Sequence, residues 1–204
     1  MKDKKEAYYS SYLNLEKILD AQNLKSKILK EPIHDELLFI ITHQTYELWF
    51  KQIIHEIDSI IILFQDSYIE EKNLSIIVNR LNRVTMIQEL LIDQIKILES
   101  MTPMDFLEFR NLLNPASGFQ SLQFRVIENK LGLERVNRLK FSKKPYDSFL
   151  NKKDKEGARL SEKEKDLFHC LEKWLERTPF IKSEEFDFWA EYKSSVDKML
   201  QEDI

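Results

Sequence analysis

Glycine and proline are scarce: the 204-residue chain has three of the first and five of the second. A sheet protein needs many more turn-forming residues than this, so the composition excludes one and predicts an all-α fold. Cysteine is scarcer still. Cys170 stands alone, which excludes an internal disulfide framework and fits a reducing, cytoplasmic compartment. Neither sign of charge dominates. With 31 Lys and Arg against 35 Asp and Glu the formal net charge is -4, so no basic face points to nucleic acid. The opening "MKDKKEAYYSSYLNLEKILDAQ" has a basic start with no uninterrupted apolar segment behind it, and predicts neither a secretory signal nor a membrane anchor.

What is present is a hydrophobic content of 43% beside 32% charged residues, the balance of a water-soluble globular protein. The length suits a single domain over residues 1–204 with a core of its own. The prolines and glycines fall where helices should end: Pro32, Pro103, Pro115 with Gly118, Gly132, Pro145, Gly157 and Pro179.

A first amphipathic helix is expected from Glu6 to Ala21, with Tyr9, Tyr12, Leu13, Leu15 and Ile18 as apolar surface. A long central helix follows over "HDELLFIITHQTYELWFKQIIHEIDSIIILF", free of proline and glycine. It is apolar around most of its circumference, yet His43, Glu47, Lys51 and His55 repeat every four residues as a narrow polar stripe. A third helix is expected from Glu71 to Ser100. Leu74, Ile77, Leu81, Val84, Leu91, Ile95 and Leu98 form the seam of a helix bundle, broken once at Gln88. Thr102 and Pro103 open a short helix that stops at Asn114–Pro115, and a further helix starts after Ser117–Gly118. The lysine-rich "KFSKKPYDSFLNKKDKEGARLSEKEK" is expected to be solvated loop. Two closing helices are expected, Ser161 to Arg177 and Ser183 to Gln201.

Several residues stand out chemically, each with a plain alternative. His43 lies one turn after Phe39, so both face one side. It either heads the polar stripe, satisfied by Glu47, or forms a polar ring over a buried ligand. His34 is expected to cap the central helix with Asp35, and His55 to sit on the stripe. A metal site from His43, Glu47 and His55 fits poorly, because His43 and His55 lie about 18 Å apart along a helix and about 120° around it and cannot ligate one ion. His43 with Glu47 alone is fewer ligands than zinc needs. Arg110, flanked by Phe106 and Phe109, needs a carboxylate if buried. That carboxylate is either Glu108 or a ligand gripped in two-point geometry. Ser117–Gly118 is either a helix cap or a set of amides facing an anion. Cys170, in "LFHCLEKW", is expected to pack as a small apolar side chain.

Together "YSSYLNLEKILDAQ", "HDELLFIITHQTYELWFKQIIHEID", "MTPMDFLEFRNLLNPASGFQSLQFRVIENKLGL" and "WLERTPF" resemble the tryptophan 2,3-dioxygenase family, in order and separation, to about Leu200. The resemblance implies an all-α helical bundle with a long central helix. It also implies a haem cofactor and a reaction of dioxygen with L-tryptophan that opens the indole ring to N-formylkynurenine. It places His43 as the distal histidine facing the haem and bonding the indole N–H. Phe39, Ile40, Ile41 and Thr42 become the pocket wall beside it, Phe106 a pocket aromatic, and Arg110 the grip on the substrate carboxylate. Tyr9 and Tyr12 match tyrosines that complete a neighbouring subunit's pocket in a tetramer, and Ser117 and Gly118 match the bend at the haem edge. The family's later segment, with the iron-ligating histidine and a glycine-threonine-rich loop, has no counterpart in these residues. The expectation is therefore a domain truncated on its C-terminal side, with no metal ligand assigned in it and the proximal ligand supplied by a second polypeptide or by an unexpected histidine. A non-catalytic aromatic-ligand, haem-binding or assembly module is the alternative.

Overall fold

The computed structural model describes residues 8–30, 32–65, 69, 71–138, 144–177 and 187–202. The expected helix starts at Glu6 and Ser183 lie outside these, as do Thr178, Pro179 and Phe180 of the "WLERTPF" motif. Among the described residues the chain is helical, with α1 Tyr9–Tyr12, α2 Leu15–Leu19, α3 Asp35–Phe64, α4 Glu71–Glu99, α5 Pro103–Leu113, α6 Leu122–Lys130, α7 Lys152–Ser161, α8 Leu167–Arg177 and α9 Phe188–Glu202. No sheet is found among them, and no helix is long and apolar enough to cross a membrane.

The expected first helix is two. Asn14 adopts a left-handed backbone with φ 52°, which ends α1 and starts α2 on a new axis. Asparagine tolerates that region better than most side chains, so the break is written in one residue. Tyr9, Tyr12, Leu13, Ile18 and Leu19 of this arm stay exposed, and Leu15 is half-buried.

α3 and α4 are the long antiparallel pair around which the rest assembles. Asp35 and Glu36 occupy the first turn of α3, where carboxylates oppose the helix dipole. His34 stands at its N-cap position without a side-chain capping bond. The core lies toward the C-terminal half of α3: Ile53, Ile57, Ile60, Ile61 and Phe64 pack with Ile77, Val84, Ile87 and Leu91 of α4, Ile127 of α6 and Cys170 of α8. Each such fully buried aliphatic contributes about 1.5–3 kcal/mol. Gln88, the expected gap in the seam, is exposed, and Ile87 fills the core position instead. It comes three residues after Val84 and four before Leu91, so the periodicity is unbroken.

Thr102 and Asp105 form a reciprocal capping box at the start of α5, with Pro103 in the first turn. The lysine-rich stretch is not a loop throughout. Asn151 caps α7, and Tyr146, Leu150 and Ala158 form a second small core with Leu122 of α6. Beneath the positive charges lies a buried carboxylate. Asp147 meets Arg135 at 2.9 Å, Arg159 at 3.0 Å and Lys155 at 3.8 Å. The lysines that made this segment look solvated hid a compact unit with apolar residues four and eight apart.

Candidate functional site

The N-terminal half of α3 does little core work and walls a cavity instead. A space of about 570 Å³ opens between α3, α5 and the bend after α5. Phe39, Ile40, His43, Gln44 and Glu47 of α3 line it, with Phe106, Arg110 and Leu113 of α5, and Ala116, Ser117, Gly118, Gln120 and Ser121 of the bend. Asn23, Lys25 and Glu36 close one end. Most of the sequence-expected site residues thus meet in one cavity. Ile41 and Thr42, expected in the same wall, do not line it. At about 100° per residue they turn to other faces of α3: Ile41 is exposed and Thr42 buried. Tyr9 and Tyr12 also lie off it, 72% and 75% exposed.

An aromatic cluster forms the floor. The Phe39 ring lies 4.1 Å from His43, 5.7 Å from Phe106 and 5.6 Å from Phe109, centroid to centroid. Phe106 and Phe109 meet edge to face at 5.5 Å. Phe109 is wholly buried and so fixes how α5 sits against α3. A flat apolar ligand would find ring faces here rather than flexible chains.

His43 is not satisfied by Glu47. Its Nδ1 lies 2.7 Å from the backbone oxygen of Phe39, one turn earlier. A carbonyl oxygen only accepts, so Nδ1 carries the proton and neutral His43 keeps the lone pair of Nε2 as an acceptor. Glu47 is held elsewhere: Gln123 donates to its carboxylate at 2.7 Å and to its backbone oxygen at 2.8 Å. His55 is exposed on the outer stripe.

Arg110 is exposed at the cavity, not buried among phenylalanines. Its guanidinium carbon stands 5.8 Å from the Phe106 ring centroid. Among the described residues no carboxylate lies within 4.0 Å of it, so Glu108 is not its partner. A positive fork without a counter-ion among the described residues faces a mostly apolar space. At the bend, the cap reading prevails. The Ser117 hydroxyl accepts from Phe119 N–H at 3.4 Å, and Gln120 takes the Ser117 N–H at 3.2 Å. Those donors are already occupied.

Sequence reasoning missed Glu36. This carboxylate has no solvent exposure and accepts the N–H groups of Lys25 at 2.6 Å and Ser26 at 2.8 Å. Burial opposes its ionisation, but the Ser26 hydroxyl and these two amides outweigh that and hold its pKa below the ordinary value. An acid in the first turn of a helix reads as a dipole partner, and only the tertiary position of the 25–28 turn reveals its other task.

Among the described residues, then, the chain is helical and its cavity combines an aromatic floor, one imidazole and a guanidinium with no carboxylate within 4.0 Å. The comparisons specify the family. The tryptophan 2,3-dioxygenase family profile matches residues 1–204. Over 200 residues the chain is 52% identical to a tryptophan 2,3-dioxygenase of Dictyostelium discoideum, covering 98% of this chain and 50% of that protein. The corresponding protein of Anopheles gambiae is 50% identical over 195 residues, covering 95% and 50%. That of Aedes aegypti is 49% identical over 193 residues, covering 94% and 49%. The chain belongs to the tryptophan 2,3-dioxygenase family, and it spans about half the length of the curated relatives it matches.

The haem that this family implies can be tested against the wall. In favour, a Cβ added to Gly118 would meet no atom within 4 Å, so bare backbone faces open space there. Against, His43 is the lone imidazole lining the cavity, and among the described residues no cysteine, methionine or tyrosine lines it. Among the described residues no group of three or more potential metal ligands gathers anywhere. His34 at the N-cap of α3 and His55 within it do not line the cavity, and His169 is exposed on α8. Among the described residues, one imidazole borders the space where the haem would lie, and no second ligating side chain is brought to it.

Proposed function

We propose that this chain supplies the substrate-facing half of a haem-dependent tryptophan 2,3-dioxygenase, acting on L-tryptophan and dioxygen in a cytoplasmic homo-oligomer. The observation that carries it is the meeting around one cavity of Phe39, His43, Phe106 and Arg110, which has no carboxylate within 4.0 Å among the described residues. Arg110 grips the substrate carboxylate through two parallel N–H donors. Phe39 and Phe106 hold the indole ring by face and edge contact. His43 accepts the indole N–H at Nε2, because its Nδ1 proton is committed to the Phe39 carbonyl. Ser117 and Gly118 border the cofactor edge. When bound, the haem supplies the oxygen chemistry, and the protein orients the substrate for it.

The single imidazole at the cavity favours a second component: a segment bearing the proximal histidine completes the site, and without it these residues act as a ligand-binding module. Residues 1–204 form one domain in this reading, with Tyr9 and Tyr12 reaching a neighbouring subunit. Expression with haem supplied, followed by absorption spectra with and without L-tryptophan, tests both. Weak haem binding with little turnover is expected for the chain alone, and recovery of both on adding a family segment that carries the proximal histidine. A stoichiometric, histidine-ligated haem spectrum that is lost in His169→Ala would overturn the two-component reading.

A further inference from the structure

We infer that Glu36 is a positioning residue for this cavity: its buried carboxylate sets where Arg110 stands relative to Phe39 and His43. The inference rests on the reading of Arg110 as a carboxylate grip. Glu36 lies on α3 one turn before Phe39 and Ile40 and two turns before His43. Its two oxygens take the amides of Lys25 and Ser26, the opening residues of a 3₁₀ turn over Lys25–Ile28. That turn packs against α5, the helix that carries Phe106 and Arg110. The clamp is doubled, because the wholly buried Ser26 hydroxyl accepts the Ile33 N–H at 3.0 Å just before α3 begins. The cavity's two long walls are therefore spaced by a chain of contacts from α3 through Glu36 and the turn to α5. α3 and α5 also meet directly, where Phe39 faces both Phe106 and Phe109. Glu36 itself lines the cavity, yet both of its oxygens are taken by the turn, so it acts through other residues and not on a ligand.

The variant that isolates this is Glu36→Gln, which keeps shape but turns one acceptor into a donor facing an N–H. The assay is calorimetric titration of the haem-supplied chain with L-tryptophan and with tryptamine, which lacks the carboxylate. The preference for L-tryptophan over tryptamine should fall by about tenfold, the scale of one weakened charge-assisted hydrogen bond. Tryptamine affinity should stay within about twofold. Ser26→Ala, a milder break in the same clamp, should move the ratio the same way by less. A role confined to stability would weaken both ligands alike and leave the ratio unchanged, and that result overturns the inference. A wild-type chain with no preference for L-tryptophan overturns the Arg110 reading instead. If neither variant folds, amide exchange on the wild-type chain decides. L-tryptophan should slow exchange at Lys25 and Ser26 more than tryptamine does, because coupling is reciprocal. Equal protection by both ligands refutes the coupling.

Discussion

Removing the guanidinium of Arg110 is the sharpest perturbation of the proposed substrate grip. The size of the effect follows from its surroundings. Truncating one member of a buried charge pair costs about 2–5 kcal/mol, because the abandoned charge stays unsolvated. Arg110 is exposed and has no carboxylate within 4.0 Å among the described residues, so Arg110→Ala orphans nothing inside the protein. What is lost is the net worth of a charge-assisted hydrogen-bonded pair with the ligand, about 1.5–3 kcal/mol. L-tryptophan should bind roughly 10- to 150-fold more weakly by calorimetry. Tryptamine should be nearly unaffected. Arg110→Lys should fall between, since it keeps the charge but loses the two-point fork. Thermal stability should change by less than about 0.5 kcal/mol, as for a surface substitution without structural partners. Equal loss for both ligands, or a large fall in melting temperature, would show that the guanidinium is structural and refute the grip.

Phe109→Ala should cost about 3–5 kcal/mol of stability by denaturant unfolding, because a fully buried ring between Phe39 and Phe106 leaves a cavity; a cost under about 1 kcal/mol would contradict its place in the floor. Asp147→Asn should lower stability by about 2 kcal/mol, because Arg135 and Arg159 are half-exposed and can return to water. Calorimetry should show a melting temperature about 4–8 °C lower, and an unchanged one would refute the role of the cluster. Acid should unfold the chain from about pH 4 downward. In Glu36, Glu56 and Asp147 burial opposes ionisation, but hydrogen bonds, from Ser26, Arg83 and Arg159 foremost, depress the folded pKa. Their stabilisation is present above the unfolded value and lost as pH falls through the folded one; a stability profile flat between pH 5 and about pH 3 would refute this. Light scattering at micromolar concentration should give a homo-oligomer, and a monomer would sink the proposed assembly.

The helices were largely legible because α3 to α6 carry period, caps and breakers in the sequence itself. Thr102–Pro103, Asn114–Pro115 and the α4 seam each sit where local chemistry puts them. The break at Asn14 was not legible, since one left-handed residue leaves the apolar pattern intact. α7 was obscured because its core face needs only Ala158 and Ser161, which its charges outnumber. In the site, Phe39, His43, Phe106 and Arg110 were found through motif likeness and helical spacing. Ile41 and Thr42 were carried along as neighbours in a string, and the pitch of the helix separates them. Glu36, Lys25 and Asn23 depend on a turn folding back onto α3, and nothing periodic announces that.

The Nδ1 bond of His43 to the carbonyl four residues behind it has a further consequence. Many histidines have their tautomer set by a carboxylate or carbonyl from a distant part of the fold, so that partner must survive for the ring to stay poised. Here both partners lie within one turn of one helix, and the instruction is portable. A graft of "FIITH" into any stable helix would carry the ring's tautomer preference with it, and a change elsewhere in the protein could reshape the cavity without moving the Nδ1 proton to Nε2.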